Sequence, residues 1–365
     1  MSKSINILHI SPNFNYTCGV SKYLSLILPE LKKRTDINLF FITNGGDSLE
    51  RLETKGIQPI RIKFNTGLKN LFYLKNNLKE LKNFCLENKI DIIHTHHRYP
   101  EFVANQLKKK LKIKTITTVH SLVKGQKTFS FKSDKIIAVS KAVEKNLIEY
   151  FNINPEKIIQ LYNPLNPDLI NTQNVSHPYQ NELNILSKYR VILFIGRNHK
   201  YKGLDLLVRA FNRISNEYND IALVIISDLS DTQKRTIQAN NNKIFIFKPH
   251  NEVRHFYEIA EIVVLPSIME SFPYVMLEAG LYGTLFLGSN VGGIDEFIQE
   301  EVNGFKFRCC DFDELYNKIN YILNLSDETK ERIKKNLLNK VLNLDTQETY
   351  TEKLISIYSQ LLKSE

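Results

Sequence analysis

Short apolar, β-branched runs alternate with amphipathic helical segments along this chain, and the alternation happens twice. "INILHI", "NLFFIT", "QPIRIK", "DIIHTH", "KTITTV", "KIIAV" and "KIIQL" are the strand candidates of the first half. Between them lie helical patterns such as "SKYLSLILPELKK", "LFYLKNNLKELKNFCLE" and "KAVEKNLIEYF". Strand–helix–strand order with strands of this kind predicts a parallel sheet covered by helices on both faces. Around residues 163–188 the pattern lapses into "NPLNPDLINTQNVSHPYQNELN", rich in Asn and Pro and without apolar period, which reads as a linker. The alternation then restarts with "RVILFIG", "IALVIIS", "KIFIFK", "EIVVLP" and "TLFLGS", and only helical patterns follow residue 311. The expected fold class is therefore α/β, with two doubly wound, Rossmann-like domains facing each other across a cleft. Their bounds are 1–165, a linker over 166–188, and 189–344, followed by a last helical segment over 345–365.

Ligands of such sheets bind at the carboxyl ends of the strands, so functional residues should lie just after strands. In "RVILFIGRNHKYKGLDLLVRAF" a strand ends at Gly196, and Arg197, Lys202, Gly203 and a helix starting near Asp205 follow. A glycine turn lets backbone approach a ligand, a helix amino terminus adds positive potential, and two cations stand at the same mouth. That combination suits a diphosphate; the alternative is a pair of solvated surface cations. The segment is neither a P-loop nor a G-x-G-x-x-G fingerprint.

The stretch "SIMESFPYVMLEAG" carries Glu270 and Glu278 with seven residues between them. Glu270 falls on the loop beyond a strand. Ser271 or Phe272 is the expected helix cap, with Pro273 at the first helical position and Glu278 in the second turn. Carboxylates accept paired hydroxyl hydrogen bonds, so two of them in one cleft point to a sugar or ribose. Two alternatives stand beside this reading: a glycosidase pair, which requires a defined carboxyl separation, and two residues serving the helix alone.

These motifs in this order resemble glycosyltransferase family 4, the retaining glycosyl transferases group 1 with the GT-B architecture. The likeness runs over nearly the whole chain, through "TCGVSKYL", "TVHSL", "KIIAVSKAVEKNL", "PEKIIQLYNP", "GRNHKYKG", "SIMESFPYVMLEAG" and "GSNVGGIDEFI". The resemblance implies that Arg197 and Lys202 hold the diphosphate of a nucleotide sugar. It gives Glu278 the nucleotide ribose and Glu270 the hydroxyls of the transferred sugar, with backbone amides from Ser271, Phe272, Pro273 and Tyr274 nearby assisting. Gly19 belongs to a glycine loop near phosphate and acceptor, and His120 contacts the donor sugar. The class binds no essential metal, and no cofactor beyond the nucleotide-sugar co-substrate is implied. The last helix is expected to pack back on the first domain, as in similar enzymes. The chain departs from the family's pattern in having Cys18-Gly19 where two glycines are common, Ser271 after Glu270 where glycine is frequent, and no proline in "GTLFLGSNVGG".

Charge bears on the acceptor. Of 49 Lys+Arg and 39 Asp+Glu, residues 1–185 hold 27 and 15, so the excess of cations is confined to the first half. A basic face of this kind suits an anionic membrane surface or nucleic acid. No helix-turn-helix, zinc-finger or RNP pattern supports nucleic acid. In "LKNLFYLKNNLKELKNF", Leu71, Leu74, Leu78 and Leu81 form an apolar stripe flanked by Lys75, Lys79 and Lys82, either core-facing or a peripheral membrane face. No apolar run approaches the ~20 residues of a membrane span, and no export leader is evident. Four cysteines without C-x-x-C read as reduced cytoplasmic thiols.

His94, His96 and His97 invite a metal reading. On a strand, 94 and 96 share a face and 97 points away, so the three do not converge, and no metal site is expected. The expectation is thus a cytoplasmic glycosyltransferase, peripheral on the inner membrane face, adding a sugar to a lipid-linked or polysaccharide-precursor glycan. A transferase with a soluble acceptor and an inactive GT-B scaffold are the alternatives.

Overall fold

Seven parallel strands form the first sheet: β1 Ile5–Ile10, β2 Ile37–Thr43, β3 Ile60–Arg61, β4 Ile92–Thr95, β5 Lys114–Val119, β6 Lys135–Ala138 and β7 Ile158–Gln160. Their order is β3-β2-β1-β4-β5-β6-β7. The computed structural model describes residues 4–64, 69–167, 179–239 and 241–363, with the side chains at 69–72 and 109 left aside. The second sheet comprises β8 Arg190–Ile195, β9 Ile221–Ile226, β10 Ile244–Phe247, β11 Ala260–Leu265, β12 Leu285–Ser289 and β13 Phe305–Phe307, in the order β10-β9-β8-β11-β12-β13. Every strand pairing in both sheets is parallel. Strands such as "IALVII" are buried at every position, as parallel strands covered on both faces must be.

In each sheet the strand order reverses once, between β1 and β4 and between β8 and β11. These reversals open crevices at the strands' carboxyl ends, where open α/β sheets take their ligands. The chain divides into two compact units, residues 1–166 with 345–365, and 167–344.

Within the first unit the last helix, Gln347–Lys363, buries Tyr350, Thr351, Leu354, Ile357, Tyr358 and Leu361 along one face, the 3–4 spacing of an amphipathic helix. It packs on the helix Gly19–Lys32. It is anchored by Leu165 N donating to Asp345 O at 3.0 Å and Gln347 N to Leu165 O at 2.7 Å.

One expectation needs correction, and one open alternative is decided. The linker assigned to 166–188 contains a helix, Gln180–Leu186, whose Leu183 and Leu186 are buried three residues apart. The Asn-rich composition concealed that short apolar period. Residues 168–178 of the assigned linker lie outside the described residues. The leucine stripe of the helix Lys69–Glu87 faces inward: Leu81 is fully buried, and Leu74 and Leu78 pack on the same core with Ile93, Val103 and Leu107. Full burial of a leucine contributes roughly 1.5–3 kcal/mol and the half-buried Leu74 and Leu78 add part of that, so the face is committed to the fold rather than to a membrane. Lys75, Lys79 and Lys82 are exposed, and Leu71 lies outside the described side chains.

Candidate functional site

The crevice of the second sheet is built by two loops fastened to each other. After β8, Arg197 is exposed, and its guanidinium makes no hydrogen bond or ion pair among the described residues. His199 caps a 3-10 turn over Lys200–Lys202, and Gly203 then takes a left-handed conformation, φ 68°, to start the helix Leu204–Ile214. A Cβ on Gly203 would lie 2.0 Å from the carbonyl oxygen of Pro266, at the end of β11. Only glycine permits both that φ and that approach. Ile268 N donates to Tyr201 O at 2.8 Å, joining the two loops by backbone.

This fastening brings Lys202 to Glu270. The ammonium donates to the Glu270 carboxylate in an ion pair, and Ser267 Oγ donates to the same oxygen at 2.8 Å. Ser289, at the end of β12, holds Ser267 in turn through its carbonyl. From the other side Gly293 N donates to Glu270 O at 3.2 Å, and a Cβ on Gly293 would lie 1.8 Å from Ser271 O. Glu270, Ser271, Phe272 and Tyr274 are buried. The helix begins at Tyr274 with Pro273 as its N-cap, one residue later than the sequence suggests. Pro273 keeps an extended ψ of 133°, which places it before the first helical residue rather than at it.

Glu278 lies in the second turn of the helix Tyr274–Leu281, which is buried along nearly its whole length. A carboxylate there needs a partner. Tyr257 supplies one, its hydroxyl donating to Glu278 Oε2 at 2.7 Å. Burial, and then the Glu278 charge, push the Tyr257 phenol well above its ordinary range, so it remains a donor. The helix is seated by Gly280, whose Cβ would lie 2.7 Å from Val341 and 2.9 Å from Leu337. The structure thus joins Lys202 to Glu270 directly, holds Glu278 separately through Tyr257, and leaves Arg197 exposed at the strand end.

In the first unit the crevice between β1 and β4 is filled with imidazoles. His9 and His94 are register partners on the two strands. His96 follows β4 and His120 follows β5. His97 turns away as the N-cap of the helix Arg98–Leu111, and His9 takes the place sequence reasoning gave it. The ligand nitrogens of His9, His94 and His96 lie within 4.8 Å of one another. His94 and His96 stack with centroids 4.5 Å apart at 24°, His9 and His96 at 5.3 Å and 14°, while His9 and His94 are tilted by 38° at 4.6 Å.

A chain of hydrogen bonds joins them. His120 Nε2 meets His96 Nδ1 at 3.1 Å, and His96 Nε2 meets His9 Nδ1 at 3.0 Å. His9 Nε2 meets the Tyr358 hydroxyl at 3.2 Å, which meets His94 Nδ1 at 2.7 Å, and His94 Nε2 meets Thr118 Oγ1 at 2.7 Å. Burial lowers His9 and His120 to about 3, and burial with neighbouring histidines holds His94 and His96 well below the usual range. All four are therefore neutral near pH 7. Gly19 opens the helix Gly19–Lys32 behind Cys18 as N-cap. Sequence reasoning missed His9, Tyr358 and Tyr257, since each acts through a partner that only the fold brings near, and Ser267, which lies within the quoted stretch three residues before Glu270.

Two doubly wound parallel sheets, each with a polar crevice at its strand reversal, are the sheets of the GT-B architecture. Family models agree: "Glycosyl transferases group 1" matches residues 176–339, and "Glycosyltransferase Family 4" matches residues 17–169. The chain belongs to the group 1 glycosyltransferases of family 4. An uncharacterized glycosyltransferase of Methanocaldococcus jannaschii is 26% identical over 349 residues, covering 91% of this chain and 92% of the relative. Other curated relatives are matched over 54–62% of their own length. Among solved structures, a glycosyltransferase from Rickettsia africae superposes with a TM-score of 0.81 at 24% identity, covering 99% of this chain and all of the other. Anabaena Alr3699/HepE in complex with UDP and glucose gives 0.83 at 16% identity, covering 97% and 99%.

Proposed function

We propose that this glycosyltransferase moves a sugar from a nucleotide-diphosphate sugar to a glycan acceptor with retention of configuration. The observation that carries the reading is the Lys202–Glu270 pair, held by Ser267 at the strand reversal of the second sheet. A fixed cation beside a fixed carboxylate matches a phosphorylated sugar, which offers anionic oxygens and hydroxyls side by side. The neighbour that holds UDP and glucose supports a nucleoside diphosphate as the carrier.

In this reading Arg197 and Lys202 bind the diphosphate and stabilise the charge that grows on it as the bond to the sugar's anomeric carbon breaks. Preorganised charge of this kind is the largest catalytic term available to such a site, and the two cations take the part of a divalent metal. Glu270 and the backbone amides of Ser271, Phe272 and Tyr274 bind sugar hydroxyls, and Pro273 shapes that turn. Glu278 binds the ribose. His120 serves the transferred sugar, and Gly19 lets backbone approach phosphate and acceptor. The acceptor hydroxyl attacks from the face the leaving group departs, and the departing phosphate oxygen takes its proton. The products are the glycoside and the nucleoside diphosphate. No side-chain nucleophile is needed.

The acceptor is lipid-linked or a precursor of surface polysaccharide, and the enzyme works peripherally at the cytoplasmic face of the membrane. The cationic first half supports this, with Lys75, Lys79 and Lys82 on its surface. Such attraction is electrostatic, at about 1 kcal/mol per cation near the bilayer. No helix among the described residues is long and apolar enough to cross a membrane. Release of nucleoside diphosphate from nucleotide sugars by the purified protein, abolished in Glu270→Ala, tests the activity. Equal turnover in that variant contradicts it. Co-sedimentation with anionic vesicles at low salt and its loss at high salt tests the membrane reading, and no binding at low salt ends it.

A further inference from the structure

We propose that Tyr358, on the last helix, is a positioning residue that fixes the tautomer of His120 through His9 and His96, leaving His120 Nδ1 as a hydrogen-bond acceptor for a sugar hydroxyl. This rests on the reading that His120 serves the transferred sugar. Each neutral imidazole carries one N–H and one lone pair, so a chain of them has a single direction. The direction follows from the distances. Tyr358 owns one proton and stands 2.7 Å from His94 Nδ1 and 3.2 Å from His9 Nε2. Hydroxyl-to-oxygen bonds run at about 2.5–3.0 Å and N–H bonds to oxygen at about 2.7–3.2 Å, so the shorter contact suits the hydroxyl proton and the longer one an N–H donor. The proton therefore goes to His94, and His9 Nε2–H donates to the tyrosine oxygen.

The remaining assignments are forced. His94, accepting on Nδ1, donates from Nε2 to Thr118 at 2.7 Å. His9, donating from Nε2, accepts on Nδ1 from His96 Nε2–H. His96 then accepts on Nδ1 from His120 Nε2–H, and the His120 Nδ1 lone pair is left for ligand. The opposite direction would place the tyrosine proton on the longer, 3.2 Å contact and leave the 2.7 Å contact to an N–H donor. Stacked rings and a His94 with a hydroxyl on each nitrogen suit this relay better than a cation held in common.

The test is the tautomeric state of His120 by long-range proton–nitrogen correlation in protein labelled with nitrogen-15 at histidine, in wild type and Tyr358→Phe, with kcat and KM for donor measured alongside. Wild type should show His120 protonated on Nε2 alone. Tyr358→Phe should show a mixture of tautomers, with kcat down roughly tenfold, the effect of one misplaced hydrogen bond, and donor KM little changed. His120 protonated on Nδ1 in wild type, or a tautomer indifferent to Tyr358→Phe, overturns the proposal. So does stoichiometric zinc binding that His9→Ala abolishes, since a metal would claim the same nitrogens. A tautomer shift with unchanged kcat upholds the relay and instead overturns the assignment of His120 to the reaction.

Discussion

Lys202 and Glu270 are paired, so a diphosphate that recruited the lysine would have to offer the glutamate something in return. Sugar hydroxyls do so. Lys202→Ala should lower kcat by roughly 10²–10³, the usual loss when one preorganised charge is removed from a site of developing negative charge. Nucleotide release under saturating donor measures it, and a loss confined to KM would mean that Lys202 binds donor and transition state equally. Tyr257→Phe removes the donor to buried Glu278. Losing one hydrogen bond to a charged group costs about 1.5–3 kcal/mol, so urea unfolding should show that loss together with a raised donor KM. Unchanged stability and KM would place the Glu278 carboxylate beyond the influence of Tyr257.

At the scale of elements, the site depends on how closely three loops approach. Gly293→Ala drives a methyl group into Ser271 O, 1.8 Å from the ideal Cβ, and must displace the loop that carries Glu270. A shift of about 1 Å can cost roughly 10² in rate, so kcat/KM should fall by that order while circular dichroism stays native. Wild-type turnover would show that the loop's position does not matter. The same elements mark what could be read in the sequence. Residues after β8 and β11 were legible because strand ends and a helix start bracket Arg197, Lys202, Glu270 and Glu278 locally. The strand β13, Phe305–Phe307, escaped because Lys306 divides its two apolar residues and no apolar run surrounds them. β3 shrank to Ile60–Arg61 within the six-residue run "QPIRIK". His9 escaped for a different reason: its partners stand 87 and 349 residues away, at His96 and Tyr358, and no local spacing encodes that.

For the whole molecule, three fully buried histidines make stability depend on pH. His9 has its ordinary value near 6.5 when unfolded and about 3 when folded, and burial depresses His94 and His96 in the same direction. The unfolded chain therefore binds more protons below pH 6.5. This contribution to stability is complete above that pH and is lost as pH falls toward 3, at about 1.4 kcal/mol per pH unit for each histidine. Denaturant midpoints at pH 7.5, 6 and 5 should decline in that order, and His9→Gln should flatten the decline. A midpoint constant across that range would mean the imidazoles are protonated in the folded protein. The last helix shares this dependence, since Tyr358 bridges His9 and His94.

If Arg197 and Lys202 hold a nucleoside diphosphate in the second sheet's crevice, binding depends on both. Calorimetric titration with UDP, GDP and ADP, on wild type and on the double variant Arg197→Ala/Lys202→Ala, measures that dependence. One of the three should bind wild type with 1:1 stoichiometry, and that binding should vanish in a double variant that melts at the wild-type temperature. Equal affinity in the two proteins would contradict the claim.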